Sequence, residues 1–318
     1  MFHHAHNASS ILSLATCAIF AVSAAAHADN IRYVRSTGSN AAACTLAAPC
    51  KSLQRGINKT PAGGELQVLD SGDFGSNATI DKSMTISGNG HTVFLGAAIT
   101  IDGAAAVVTL RGLVLNGGGA TDRGIDIDDA AAVHVERCVV HGFTGIGVNL
   151  SNAATNLFVT DTTVRGNGSI GVNVNAANPT RLTIDNSRIE ANGSIGLAIA
   201  GIEATITRTV ISGNGNAGLL MAGGRANVTS TTVANNNSSG LMVTTSGRLT
   251  VESSVSRGNS QGLLVHIATA TARISNSVFT DNGTGIVNNG TVLTRRNNTV
   301  SGNTTDLAGT ALTVLGGI

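Results

Sequence analysis

The sequence has no Trp, one Tyr and three Pro, and aromatic residues make up 3% of its 318 positions. Charged residues reach 12%, about half the usual share of a globular chain. A formal net charge of +1 and so few rings leave neither the field nor the stacking platforms that nucleic-acid binding needs. Hydrophobic residues at 42% exclude disorder, which goes with low hydrophobicity and high charge. Gly is abundant, at 40 residues, but has no three-residue period, which excludes a collagen helix. The chain also lacks a Gly-Lys-Ser/Thr phosphate loop, a G-x-S-x-G elbow and any zinc-type His spacing.

Residues 1–28 read as an export signal. Ile11 to Ala25 is almost wholly apolar and short for a membrane span, and Ala26-His27-Ala28 is an A-x-A cleavage site. The segment ahead carries His3, His4 and His6 where Lys or Arg is usual. The mature chain is expected to begin near Asp29 and to reside in the periplasm, at the cell surface or outside the cell. No later segment is long and apolar enough to span a membrane. An exported protein keeps disulfides, so Cys44 and Cys50 are expected to close a small loop. Cys138 is then left as a small buried apolar residue.

A motif of Gly, apolar, any, apolar recurs at Gly124, Gly147, Gly171, Gly196, Gly218, Gly240, Gly262 and Gly285, in steps of 22 to 25 residues. A second motif keeps phase with it, as in Leu182-Thr183-Ile184-Asp185-Asn186-Ser187-Arg188-Ile189. Eight residues beyond Ile184 and its equivalents stand Asn167, Asn192, Asn214, Asn236, Asn259 and Asn282. A fixed period of this size means stacked repeats. Each unit holds three short alternating runs separated by Gly, Asn, Ser or Thr, and none is long enough for a helix. The reading is an all-β, three-sided parallel β-helix of about ten rungs, roughly 45–50 Å long. Inward columns of Leu, Ile and Val form its core. A small inward column runs Cys138, Thr162, Ser187, Thr209, Thr231, Ser254, Ser277. The Asn column is placed at a bend for its tolerance of the left-handed conformation and for stacked amides, and Gly for conformational freedom.

The N-terminus adds a resemblance. Arg32-Tyr33-Val34-Arg35-Ser36-Thr37-Gly38-Ser39, Ala48-Pro49-Cys50-Lys51-Ser52-Leu53-Gln54 and Ala62-Gly63-Gly64-Glu65-Leu66-Gln67-Val68-Leu69 resemble the cap of exported bacterial right-handed parallel β-helix repeat proteins of the pectin-lyase-like superfamily. The resemblance implies right-handedness and a short helix over Ser52–Asn58 that plugs the open end. It implies an organisation of 1–28 signal, 29–65 cap and 66–318 β-helix. It implies no single activity, since the superfamily spans lyases, hydrolases, epimerases and proteins of unknown reaction.

Lyases of that superfamily need clustered carboxylates to hold Ca²⁺, with an Arg or Lys base, and hydrolases need two or three Asp facing one bond. The best available residues are the carboxylates Glu136, Asp161 and Asp185 and the bases Arg137 and Arg208, on outward positions of the first strand of each rung. Cross-rung ion pairing, such as Arg137 over Asp161, is the simpler role for them. Asp126, Asp128 and Asp129 form the one dense acidic run and are the candidates for a metal, with an exposed bend as the alternative. No cofactor is expected apart from Ca²⁺ under the lyase reading. The outward residue of the Gly motif turns from polar to apolar along the rod: Asp126, Asn149, Asn173, Ala198, Leu220, Met242, Leu264, Val287. Leu220, Met242, Leu264 and Val287 are therefore candidates for an interface, unless the segment Ala311–Leu315 folds back over them.

The bends between the Gly strand and the next rung are short, as in Ala200-Gly201-Ile202-Glu203, and wall no deep cleft. The leading expectation is thus an exported, non-catalytic β-helix that binds polysaccharide or a protein partner, including another copy. A polysaccharide lyase or glycoside hydrolase acting on acidic polysaccharide is the alternative. Ice binding comes last, because the outward row Thr85, Thr109, His134, Phe158, Thr183, Thr205, Asn227, Thr250, Arg273 breaks any flat Thr array.

Overall fold

The computed structural model describes residues 30–151, 154–175 and 180–316, so the expected export signal lies outside it. The described chain is a parallel β-solenoid of about eleven rungs. A typical rung carries Arg181–Asp185, Arg188–Glu190 and Leu197–Ala200, which lie on the first, second and third faces. Away from the two ends, strands pair in parallel with their equivalents one rung before and after, as Leu182 with Leu157 and Ala204. The second face is an 11-stranded sheet. The first and third faces merge, because Ile99–Arg111 and Arg123–Glu136 run from one to the other without a break.

Alternation sets what each face buries. Leu182 and Ile184 point into the core, while Thr183 and Asp185 point out. Stacked equivalents such as Ile184, Ile206, Val228, Val251 and Ile274 fill the interior. Each such side chain contributes about 1.5–3 kcal/mol on burial.

The first bend is held by the small column. Thr162, Ser187, Thr209, Thr231, Ser254 and Ser277 are buried, and their hydroxyls donate to a carbonyl two residues back, as Ser187 to Asp185 at 2.8 Å. The backbone N–H of the rung before donates to the same oxygen, as Thr162 to Ser187 at 3.2 Å. The preceding residue adopts positive φ: Arg137, Asp161, Asn186, Arg208, Ser230, Ser253 and Asn276 lie between 46° and 52°.

The second bend bears out the stacked amides expected of the Asn column and corrects the conformation expected of it. The Asn column is not left-handed. The positive φ falls one residue earlier, at Gly166, Ala191, Gly213, Asn235, Gly258 and Asp281. Asn is required for its amide. Nδ2 of Asn167, Asn192, Asn214, Asn236, Asn259 and Asn282 donates to Oδ1 of the next Asn at 2.9–3.1 Å. The same Oδ1 accepts a backbone N–H from the rung before. The Gly of the repeat motif is likewise not at positive φ; it makes room for this ladder. A Cβ on Gly196 would stand 2.6 Å from Asn214 Nδ2 and 2.7 Å from the Gly218 carbonyl oxygen.

The N-terminal end is plugged by the helix Leu53–Lys59, which buries Leu53, Gly56 and Ile57. Ser52 caps it, its Oγ accepting from Arg55 N at 3.3 Å. Cys44 and Cys50 form a disulfide beside it. The first face begins at Ile31–Val34, which pairs with Glu65–Val68. At the other end Thr313–Val314 pairs with Leu293–Thr294 and extends the first face. The C-terminal segment therefore does not fold back over the third face.

Removing one ladder amide strands its neighbours. Asn214→Ala is expected to lose about 1–3 kcal/mol, because the buried Asn192 N–H loses its acceptor and the Asn192 amide keeps only its longer bond to the Val164 carbonyl. Asn216→Ala, on an exposed residue of the same bend, should change stability by less than about 0.5 kcal/mol. Urea denaturation of both variants checks this, and equal midpoints would contradict the ladder's role.

Candidate functional site

The five charged residues expected at a catalytic patch are exposed or half-buried, and their partners are local. Glu136 accepts from Arg111 Nε at 2.9 Å. Asp185 is held by Arg208 and by the Thr207 hydroxyl on its own sheet. Asp161 accepts from Asn186 Nδ2 rather than pairing with Arg137, and Arg137 makes no ion pair. Register places Thr160 between Glu136 and Asp185, which sets those two carboxylates two rungs apart, about 10 Å. Arg137, Asp161 and Arg208 sit at the corner, where positive φ turns them off the flat of the first face. His134 and Phe158 stack on the adjacent column, centroids 4.6 Å apart and 6° from parallel.

The acidic run lies where the third face passes into the first. Asp126 is bound by Arg123 at 2.8 Å and by Asn149 Nδ2 at 2.7 Å, and Asn173 continues the ladder to Asn149 at 2.8 Å. Partial burial, with Asp126 and Asp102 nearby, raises the Asp128 carboxyl above its ordinary range against a lowering by Arg123. Among the described residues no three His, Cys, Asp or Glu side chains gather so as to hold a metal ion.

Sequence reasoning missed a different feature. A furrow crosses the first face in the C-terminal half of the rod. One depression of about 590 Å³ is lined by Arg225, Asn227, Arg248, Thr250 and Arg273 among others. The next, about 560 Å³, shares Thr250 and Arg273 and adds Glu252, Arg295 and Leu315. Register stacks Arg225 on Arg248 in one column and Thr250 on Arg273 in another. Arg225, Arg248, Arg273 and Arg295 are exposed, and among the described residues none forms an ion pair or side-chain hydrogen bond. The signal was available in the column Arg181, Glu203, Arg225, Arg248, Thr271, one position ahead of the inward Leu182 column.

The third-face row is stacked along the rod, as Leu220 on Met242 on Leu264 on Val287. Leu220, Met242 and Val287 are half-buried, and Leu264 is 9% exposed, because the neighbours shield one another.

The stacked parallel rungs, the amide ladder and the three faces define a class, and residues 144–305 match the family described as "Right handed beta helix region". The chain belongs to that family. Among solved structures it is similar to the A-module of mannuronan C-5 epimerase AlgE4 from Azotobacter vinelandii, at 16% identity and TM-score 0.59, covering 83% of this chain and 95% of that one. The AlgE6 A-module of the same organism matches at 16% identity and TM-score 0.56, over 83% and 93%. The Dettilon tailspike protein matches at 12% identity and TM-score 0.50, over 92% of this chain and 70% of that one. At these identities the likeness establishes the fold. No curated protein matches the chain. No helix among the described residues is long and apolar enough to cross a membrane.

Cys138 occupies the first position of the small buried column, 2% exposed. Burial pushes its thiol up to about 11, outweighing the hydrogen bonds that would lower it. The thiolate is the reactive form, so the folded protein should resist iodoacetamide at pH 8 and label once denatured. Rapid labelling of the native protein would contradict the structural role.

Proposed function

We propose that the protein is an exported, non-catalytic β-helix that binds acidic polysaccharide along the furrow of its first face. The observation that carries this reading is the set of four arginines, Arg225, Arg248, Arg273 and Arg295, lining adjoining depressions without an ionic partner. Elsewhere on the rod Arg111, Arg123, Arg188 and Arg208 are each neutralised by a carboxylate, and Arg137, Arg165 and Arg257, which also form no ion pair among the described residues, line neither depression, so the gathering of four free guanidiniums is what sets the furrow apart. A planar guanidinium matches a carboxylate in a two-point hydrogen bond, and an unpaired one pays no competing ion pair to make it. Rung stacking repeats the groups about every 4.8 Å along the rod, which suits a chain bearing charge at regular intervals. Asn227, Thr250 and Thr271 supply hydroxyl and amide partners between them.

The reading is non-catalytic because the carboxylates of the patch are tied up in pairs and spread over separate rungs. The likeness to modules named for mannuronan is consistent with a polysaccharide ligand. Secretion rests on the signal-like segment ending at Ala28.

Calorimetric titration of the full chain with oligouronates checks this. Binding should weaken as salt rises, and a neutral glucan of equal length should not bind. Arg248→Ala and Arg273→Ala should each weaken binding about fivefold to tenfold. Glu136→Gln and Asp185→Asn should leave it unchanged. Equal affinity for the neutral glucan, or loss of binding in the Glu136 and Asp185 variants alone, would overturn the reading.

A further inference from the structure

The third face differs from the first in having no charge over most of its length. Its strands Ile146–Ser151, Val172–Asn175, Leu197–Ala200, Leu219–Ala222, Ser239–Thr244, Gln261–Val265 and Thr284–Asn288 contain no Asp, Glu, Lys or Arg. The apolar outward row Ala198, Leu220, Met242, Leu264, Val287 runs up the middle of this stretch. The second outward row begins with Ala200, Ala222 and Thr244, so the flank is small as well. The C-terminal segment does not cover the row and continues the first face instead.

We infer that this face is a self-association surface, on which a second copy packs with its rod antiparallel to the first. Three observations select that occupant. First, a face without charge is the one part of the rod that opposes itself without placing like charges together; the first face would set Arg225, Arg248 and Arg273 against their own copies. Second, the row is nearly symmetric about Met242. A two-fold axis across the rod there sets Met242 on Met242, Leu220 on Leu264 and Ala198 on Val287, as an isologous interface requires. Third, the parallel alternative is disfavoured by the acidic end of the same row. With rungs in register it sets the stretch Asp122–Asp129, whose four carboxylates outnumber the one guanidinium of Arg123, against its own copy, whereas the antiparallel pair carries the two stretches to opposite ends of the contact.

Size sets the strength. Five strands at about 4.8 Å spacing, each about five residues of 3.3 Å, give a contact of roughly 400 Å² per copy. That is about half of what a stable dimer buries from each partner, in the range of weak and transient contacts. The dimer should therefore form at high micromolar concentration and fall apart on dilution. It leaves the arginine furrow open in both copies, because the furrow lies on the first face.

Two measurements on the full chain test this. Sedimentation equilibrium over a wide concentration range should show a reversible monomer–dimer equilibrium, and Leu220→Asp with Leu264→Asp should weaken it at least about tenfold while circular dichroism stays unchanged. Under mild oxidation Met242→Cys should cross-link to itself. Leu220→Cys and Leu264→Cys should each stay largely monomeric alone and cross-link when mixed. A protein monomeric at every concentration overturns the surface. Efficient self-cross-linking of Leu220→Cys, with no gain on mixing with Leu264→Cys, overturns the antiparallel arrangement.

Discussion

Everything in this molecule depends on one constraint: each rung must satisfy the backbone and bend groups of the rung beside it. A bend in a solenoid buries polar backbone that neither strand nor water reaches, and an unsatisfied buried group costs about 1–3 kcal/mol. The Asn column meets the constraint at one bend, with its amide as donor and acceptor in register with its neighbours. The Ser and Thr column meets it at the other. Neither ladder tolerates a rung out of phase, and this is what holds the repeat so close to a constant length.

The composition follows from the same constraint. A Cβ at the motif Gly collides with the ladder amide and with the next rung, so these glycines answer to space rather than to backbone conformation. Narrow rungs have little room for large rings, and Phe74 and Phe279 are the only fully buried aromatic side chains among the described residues. Charged residues are pushed to corners and outer rows, where Arg111 meets Glu136 and Arg208 meets Asp185 one rung away. Four unpaired guanidiniums gathered at adjoining depressions therefore stand out.

The fold was legible in the sequence because its constraints recur every 22 to 25 residues in one chain. Asn214 and Gly218 announce themselves through their equivalents. Of their causes the stacked amides were legible, whereas the left-handed conformation expected at Asn214 falls on Gly213 before it. The site was harder to read for a physical reason. Arg225, Arg248, Arg273 and Arg295 are distinguished by lining adjoining depressions together, and the columns they occupy in the sequence do not show which outward positions a depression joins. The patch around Glu136 and Asp185 attracted attention because carboxylates and arginines sit close in sequence columns, and that proximity is what lets them neutralise one another.

The rod thus carries its carboxylate-bound arginines toward one end, a furrow of four unpaired arginines toward the other, and a largely uncharged face alongside. The most direct test of this is a crystal structure with a bound oligouronate. Sugar carboxylates should lie over Arg225, Arg248 and Arg273 in the first-face furrow, with the Arg111–Glu136 and Arg208–Asp185 pairs intact. A sugar seated instead over Glu136, Asp185 and Arg208, with those pairs broken, would contradict it.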